Sequence, residues 1–270
     1  MRQYRLITDK PTIGARNMAI DEAIMNDVIA NGGVPTVRFY AWQPACLSLG
    51  YGQHYADADL ERIQARGWHI VRRATGGRAI LHAHELTYSV VFPDTHTMAE
   101  GGIIESYRRI SKALTHGLTL LGLNTYAERK TERLRDTGPV CFEVPSHYEI
   151  TTSDGRKLVG SAQLRRRGGV LQHGTLPLHG DVSNICDALQ FPDATARDMA
   201  KLNVRKRAAT LQDALGVIVS WEEVVNALMQ GFCDVFNVDF VHDTLTDEEK
   251  KQAERLECEV YANDAWTFRR

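Results

Sequence analysis

The order of apolar and polar positions divides the chain into alternating helical and strand-like stretches. From Arg16 to Asn31, Ile20, Ile24 and Val28 recur four residues apart, and Gly32-Gly33 ends the run, so a helix is expected there. Pro35 to Trp42 instead alternates, with Val37, Phe39 and Ala41 set against Arg38 and Tyr40, which is strand period. Cys46 to Tyr51, Trp68 to Arg73 and Leu86 to Phe92 read as further strands, and Ala58 to Arg66 as a helix. Ile103 to Leu121 has the best amphipathic pattern, with apolar residues at 103, 104, 107, 110, 114, 118 and 121. Tyr148 to Leu178 changes to a meander with turns at Ser153-Asp154-Gly155-Arg156 and Arg167-Gly168-Gly169. After Asp181 the signals are mainly helical, including Trp221 to Phe236 and Thr246 to Glu259. The expected fold is α+β (α/β), with a mixed or antiparallel central sheet flanked by helices and a small helical C-terminal part. The alternation is too irregular for a doubly wound Rossmann sheet. One domain over residues 1–270 is expected, with a core of about 1–180 and a helical part of about 181–270.

Composition narrows the class. The 270 residues carry 32 Lys and Arg against 34 Asp and Glu, a formal charge of −2, so no global pull toward nucleic acid or an anionic membrane is expected. No apolar run approaches the roughly 20 residues of a membrane helix, and Met1 to Arg5 lacks the apolar stretch of a secretory signal. The five cysteines (46, 141, 186, 233 and 258) are odd in number and scattered, with no CxxC pair. That argues against disulfides or a zinc knuckle and for a reducing, cytoplasmic setting. No carboxylate or histidine cluster has ligand spacing, so no metal is expected.

Four segments are candidates for chemistry. In Arg72-Arg73-Ala74-Thr75-Gly76-Gly77-Arg78, running on to His82, two arginines end a strand and two glycines allow close approach of backbone to a ligand. Exposed N–H groups there could cradle a carbonyl or a phosphate, yet the same residues serve equally as an ordinary turn. In Lys157-Leu158-Val159-Gly160-Ser161-Ala162, a strand-opening lysine is ordinarily solvated; desolvated, it becomes a base or a donor to a developing anion. Cys141, within Gly138 to Pro145, is the thiol bracketed by turn formers, whereas the other four suit packing positions. His173, in Gln172-His173-Gly174-Thr175, reads as a general base or as a structural hydrogen-bonder.

Together and in this order, these segments resemble the biotin/lipoate protein ligase and acyltransferase superfamily. Asn17 to Ala23, Arg38 to Trp42, Ser48 to Gln53, Arg72-Arg73-x-x-Gly76-Gly77-x-Ala79-x-x-His82, Lys157-x-x-Gly160-Ser161-Ala162 and His173-Gly174 carry the resemblance. The last third of the chain matches less closely. Arg78, where lipoate ligases usually have a third glycine, and Cys141-Phe142-Glu143-x-Pro145 make the chain similar to the branch of octanoyltransferases that load the glycine-cleavage H protein. Ala83 departs from the usual Asp after the histidine.

The resemblance implies double displacement without ATP. The Cys141 thiolate takes octanoyl from acyl carrier protein, and Lys157 holds the thiolate and shuttles a proton. A lysine of a lipoyl-domain acceptor, such as the H protein, then attacks the thioester. Arg72, Arg73, Gly76, Gly77, Arg78, His82, Gly160, Ser161, Ala162, His173 and Gly174 are the expected acyl and substrate contacts. No cofactor is expected; ATP and Mg enter only under the rival reading of a lipoate–protein ligase. Two other rivals are an octanoyl amidotransferase between lipoyl-domain proteins and a non-catalytic carrier-binding paralogue. Carrier and lipoyl domains are typically acidic, so Arg165, Arg166 and Arg167, and the four positives from Lys201 to Arg207, are candidate docks. A solvated basic hairpin explains the first group equally. A monomer is expected.

Overall fold

The structure, a computed structural model, describes residues 2–128 and 149–270. Its backbone is a mixed eight-stranded sheet of order β11-β1-β2-β6-β10-β9-β8-β7 beside a three-stranded sheet of order β4-β3-β5. In chain order the strands are β1 Arg2–Thr8, β2 Thr36–Tyr40, β3 Cys46–Leu49, β4 His69–Arg72, β5 Ile80–His82, β6 Glu85–Pro93, β7 Tyr126–Glu128, β8 Glu149–Thr151, β9 Lys157–Arg166, β10 Gly169–Pro177 and β11 Val238–His242. The helices are α1 Gly14–Asn31, α2 Leu60–Ala65, α3 Gly102–Leu120, α4 Ala194–Arg207, α5 Leu211–Leu215, α6 Trp221–Phe236, α7 Asp247–Leu256 and α8 Asp264–Thr267. The mixed sheet flanked by helices is the expected fold class.

β10 explains how the large sheet is held. It pairs antiparallel with both β6 and β9, and every residue in it is buried. Its alternate side chains feed two cores: Val170 and Leu176 join the cluster under α3 and α6, and Leu171 joins the one under α1. α3 and α6 approach closely because both carry glycine at the crossing. A Cβ on Gly231 would lie 2.3 Å from Ala113 O, and one on Gly117 would lie 2.7 Å from Ala227 O. α1 sits on the opposite face, burying Ile20, Ile24 and Val28 as its periodicity predicts, and stops at Gly32 in the left-handed conformation (φ 65°).

The two meander turns fall where the sequence places them, Arg167 and Gly168 both taking positive φ between β9 and β10. Three expectations change. β1 and β11 add strands beyond those the pattern predicts; β11 extends the sheet from within the mainly helical stretch, pairing parallel with β1, because five residues between two helices are too few to show alternation. Ile103 lies at the entry of α3 and is 52 % exposed, so the buried stripe begins a turn later. Cys258 is exposed rather than a packing residue, while Cys46 and Cys186 are buried. No helix among the described residues is long and apolar enough to cross a membrane.

Candidate active site

Where the small sheet meets the large one, a narrow cleft opens. Arg73, Gly76, Gly77 and His82 come to it from the small-sheet side, Gly160, Ser161 and Ala162 from β9, and His173 and Gly174 from β10. Met18, Trp42 and Ile80 add apolar surface. Gly174 is required by crowding: a Cβ there would sit 2.6 Å from both Gly160 O and the Tyr88 ring. The Gly76-Gly77 turn is a close-approach element, with Gly77 at φ +100°. It packs against β3 so tightly that a Cβ on Gly50 would lie 1.9 Å from Gly77 O.

Two hydrogen-bonded chains stand behind these residues. On the α1 side, Asp21 Oδ1 accepts from Arg38 Nη1 at 2.8 Å and Ser89 Oγ at 2.9 Å. Asp21 Oδ2 accepts from Tyr40 OH at 2.8 Å and faces His173 Nδ1 at 3.3 Å. His173 Nε2 is 2.7 Å from Thr75 Oγ1. Arg38 also donates to Asp9 at 2.6 Å and Asn17 Oδ1 at 2.9 Å. Burial pushes the Asp21 carboxyl up, but the His173 hydrogen bond and the Arg38 charge outweigh it and leave its pKa below the ordinary value. Burial holds His173 below the usual imidazole range, against the pull of Asp21 and with help from Arg73 and His82.

On the small-sheet side, His82 Nδ1 is 2.8 Å from Glu85 Oε1 and Nε2 is 2.7 Å from Ser48 Oγ. The ring lies flat on Trp42, with centroids 3.8 Å apart and planes at 9°. Thr87 and Thr175 donate to the two Glu85 oxygens, and Trp42 Nε1 donates to Thr87 at 2.8 Å. Arg73 Nη1 donates to Ser48 Oγ and Ser48 O, both at 2.7 Å. Arg73 Nη2 donates to Gly76 O at 3.1 Å and Arg78 O at 3.0 Å.

Several sequence-derived residues sit elsewhere. Arg72 is buried facing away from the cleft, donating to Thr267 O, Gly50 O and Gln53 O at 2.9, 2.8 and 2.6 Å, so it clamps the C-terminal segment instead of lining the cleft. Arg78 supplies its carbonyl to Arg73 and is not among the lining residues. Lys157 is not solvated: its side chain is 3 % exposed, and Nζ lies 2.8 Å from Glu149. It reaches to 3.9 Å from the position of a Cβ on Gly160, at the β9 wall of the cleft. Cys141 lies outside the described residues. Burial drives the Cys46 thiol far above its ordinary pKa, which makes it a poor nucleophile.

The basic stretches also separate. Arg165 donates to Ala99 O at 3.3 Å and Gly102 O at 3.0 Å, and Arg166 to Glu22 at 2.7 Å and Asn26 at 3.1 Å. Two of the three candidate docking arginines therefore tie β9 to neighbouring helices, and Arg167 alone of them is exposed. Lys201 and Arg205 pair with Asp187 and Asp181, and Arg205, Lys206 and Arg207 are all exposed at the end of α4. That end joins the β9 wall directly, since Ala209 N donates to Lys157 O at 3.0 Å.

Asn17, Asp21, Arg38, Ser48, Thr75, Glu85 and Thr87 form much of this site, although the sequence reading gave none of them a role. The available signal was a polar residue on an apolar helix face: Asn17 and Asp21 precede Ile24 and Val28 on the buried stripe of α1.

Residues 14–233 match the lipoyl protein ligase A/B catalytic-domain family. Over 278 residues and the full length of both chains, the sequence is 40 % identical to octanoyltransferase LipM of Brevibacillus brevis. It is likewise 40 % identical to that of Kyrpidia tusciae over 276 residues, again covering all of both. Among solved structures, the bipartite lipoate protein ligase of Thermoplasma acidophilum superposes with a TM-score of 0.84 at 28 % identity, covering 99 % of this chain and 97 % of that one. A lipoate-protein ligase A bound with ATP gives 0.81 at 28 % identity, with 99 % of each chain covered.

Proposed function

Because the chain belongs to the lipoyl protein ligase A/B catalytic-domain family, we propose that its cleft is the acyl site of an octanoyltransferase of lipoate biosynthesis working through a Cys141 thioester. The observation that carries this reading is the likeness to octanoyltransferases, 40 % identity over the full length of both chains, against 28 % for the ligase structures. The donor is an octanoyl thioester on acyl carrier protein, and the acceptor is a lysine of a lipoyl domain such as the H protein.

The Cys141 thiolate attacks the donor carbonyl; its S–C bond forms as the bond to the carrier thiol breaks. The leaving thiolate takes a proton from the Lys157 ammonium, which Glu149 orients. In the second half, the neutral acceptor amine attacks the acyl-enzyme, Lys157 recovers the proton, and the Cys141 thiolate leaves. Thioester exchange is near neutral and amide formation is downhill, so the chemistry asks nothing of ATP. Apolar surface from Met18, Trp42 and Ile80 suits an alkyl chain: burial of its seven alkyl carbons, six methylenes and a methyl, at about 0.8 kcal/mol each contributes roughly 5–6 kcal/mol. The donor docks on the outward face of α4, where exposed Met199 and Leu202 lie beside Lys206 and next to the Lys157 end of β9.

Intact mass after mixing with octanoyl-carrier protein, without ATP, tests the reading. An octanoyl adduct that disappears in Cys141→Ser supports it, and the same adduct formed from an octanoylated lipoyl domain instead identifies the amidotransferase rival. The likeness to an ATP-bound ligase keeps a second reading open. Acceptor modification that requires lipoate and Mg-ATP, with no adduct, would replace the first reading with that one, and no modification under any condition would leave a carrier-binding paralogue.

A further inference from the structure

The two imidazoles in the cleft have the same wiring. Glu85, His82 and Ser48 form one carboxylate–imidazole–hydroxyl relay, with contacts of 2.8 and 2.7 Å. Asp21, His173 and Thr75 form another, at 3.3 and 2.7 Å. In each, the carboxylate can only accept, so Nδ1 carries the proton and Nε2 presents its lone pair to a hydroxyl. Both nitrogens of each ring are therefore engaged by protein, and neither is left to take a proton from a substrate. The relays end on a single element. Ser48 Oγ accepts from Arg73, whose other nitrogen gathers the carbonyls of Gly76 and Arg78, and Thr75 begins the same turn. With those carbonyls drawn toward Arg73, the amides of Gly76 and Gly77 have no acceptor among the described residues, and both glycines line the cleft.

Resting on the acyl-transfer reading above, we propose that His82 and His173 are positioning residues that act through Ser48 and Thr75. Each holds the Thr75–Gly77 turn in the shape that aims its amides at the acyl carbonyl. The geometry leaves them no free ring nitrogen for a hydrogen bond to substrate. Thr75 is the cleanest lever, because Val keeps its shape without the hydroxyl and Ser keeps the hydroxyl.

Thr75→Val and His173→Gln should lower the rate constant of octanoyl-enzyme formation by about 10- to 100-fold, as expected when amides aimed at an oxyanion are displaced. KM for octanoyl-carrier protein should stay within about threefold, because the alkyl contacts are untouched, and Thr75→Ser should recover most of the rate. Nitrogen-15 shifts of wild-type imidazoles at pH 7.5 should show Nδ1 protonated and Nε2 bare at both positions. A rise in KM with an unchanged rate constant would assign the histidines to substrate binding and overturn the proposal. So would Thr75→Ser as impaired as Thr75→Val, or an Nε2–H tautomer, which needs no active or folded variant to observe. A wild-type protein that forms no acyl-enzyme refutes the acyl-transfer reading instead, and the tautomers still test the wiring.

Discussion

The two walls of the cleft solve one problem differently. Each buries a carboxylate behind a histidine, yet Asp21 is neutralised by the buried Arg38 guanidinium, which also holds Asp9. Glu85 has no Lys or Arg partner among the described residues; it is held by His82 and the hydroxyls of Thr87 and Thr175. The α1 wall is thus an ion-pair cluster and the small-sheet wall a set of dipoles. A buried charge can be stabilised either way, but the consequences of removing a partner differ. Loss of the guanidinium leaves the buried Asp21 carboxylate without its countercharge, whereas loss of a hydroxyl removes one donor of several.

Arg38→Met tests this most severely. Stability in urea should fall by about 3–5 kcal/mol, because Asp21 is left buried without its countercharge. Adding Asp21→Asn to that variant should return part of the loss. A single-variant loss under about 1 kcal/mol would mean that Tyr40, Ser89 and His173 suffice, and the contrast between the walls would collapse. On the other wall, Thr175→Val should cost less, about 1–3 kcal/mol, since one charge-assisted hydrogen bond goes while Thr87 and His82 remain. Equal losses from the two substitutions would remove the distinction.

The α1 wall also responds to acid. His173 has its folded-state pKa held below the unfolded value by burial, so below about pH 6.5 the unfolded chain binds a proton that the folded one refuses. Its contribution to stability is complete above about pH 6.5 and is lost as pH falls through the folded pKa. Asp21 follows the same sign lower down, its depressed pKa withdrawing stability only below the ordinary carboxylate range. Unfolding free energy should therefore decline between pH 7.5 and 5.5, and less steeply in His173→Gln. His96, also held low by burial and by Arg2, leaves a residual slope in the variant. Identical slopes would place the acid sensitivity outside this relay.

Periodicity read the helices that bury a plain apolar stripe: the residues of α6 are those expected from the pattern, and α1 differs by two at its start. It failed at β11, where five residues carry no pattern of their own and are recruited by β1. The site shows a similar split. Arg73, the two glycines, His82, Gly160 and His173 were legible because turn formers and titratable groups stand out locally. Their partners were not, because Asp21 on a helix and Glu85 opening a strand become one cleft only through contacts spanning up to 152 residues. The burial of Lys157 is not legible for the same reason: a strand-opening lysine is ordinarily solvated, and the approach of Glu149 on the neighbouring β8 helps it to be buried.

The smallest effect asks which wall meets the carrier. Arg166 ties β9 to Glu22 and Asn26 of α1, on the Asp21 side, and the Arg165–Arg167 end lies eight or more residues along the strand from Lys157, about 26 Å away at 3.3 Å per residue. α4 packs on the Val182–Ala188 segment, which in turn contacts β5, the strand ending at His82, so its basic end belongs to the Glu85 side. Only Ala208 lies between Arg207 and Ala209, whose amide bonds Lys157 O, so a carrier docked there sits beside the Lys157 end of β9. Lys206→Glu should raise KM for octanoyl-carrier protein by about two- to fivefold at low salt, as loss of an exposed charge at an interface does, and the difference should fade as salt is added. Arg167→Glu should change it by less. Should Arg167→Glu prove the more damaging, the dock lies at the far end of β9, and the walls divide their labour the other way, with the ion-paired side both holding the turn and receiving the carrier.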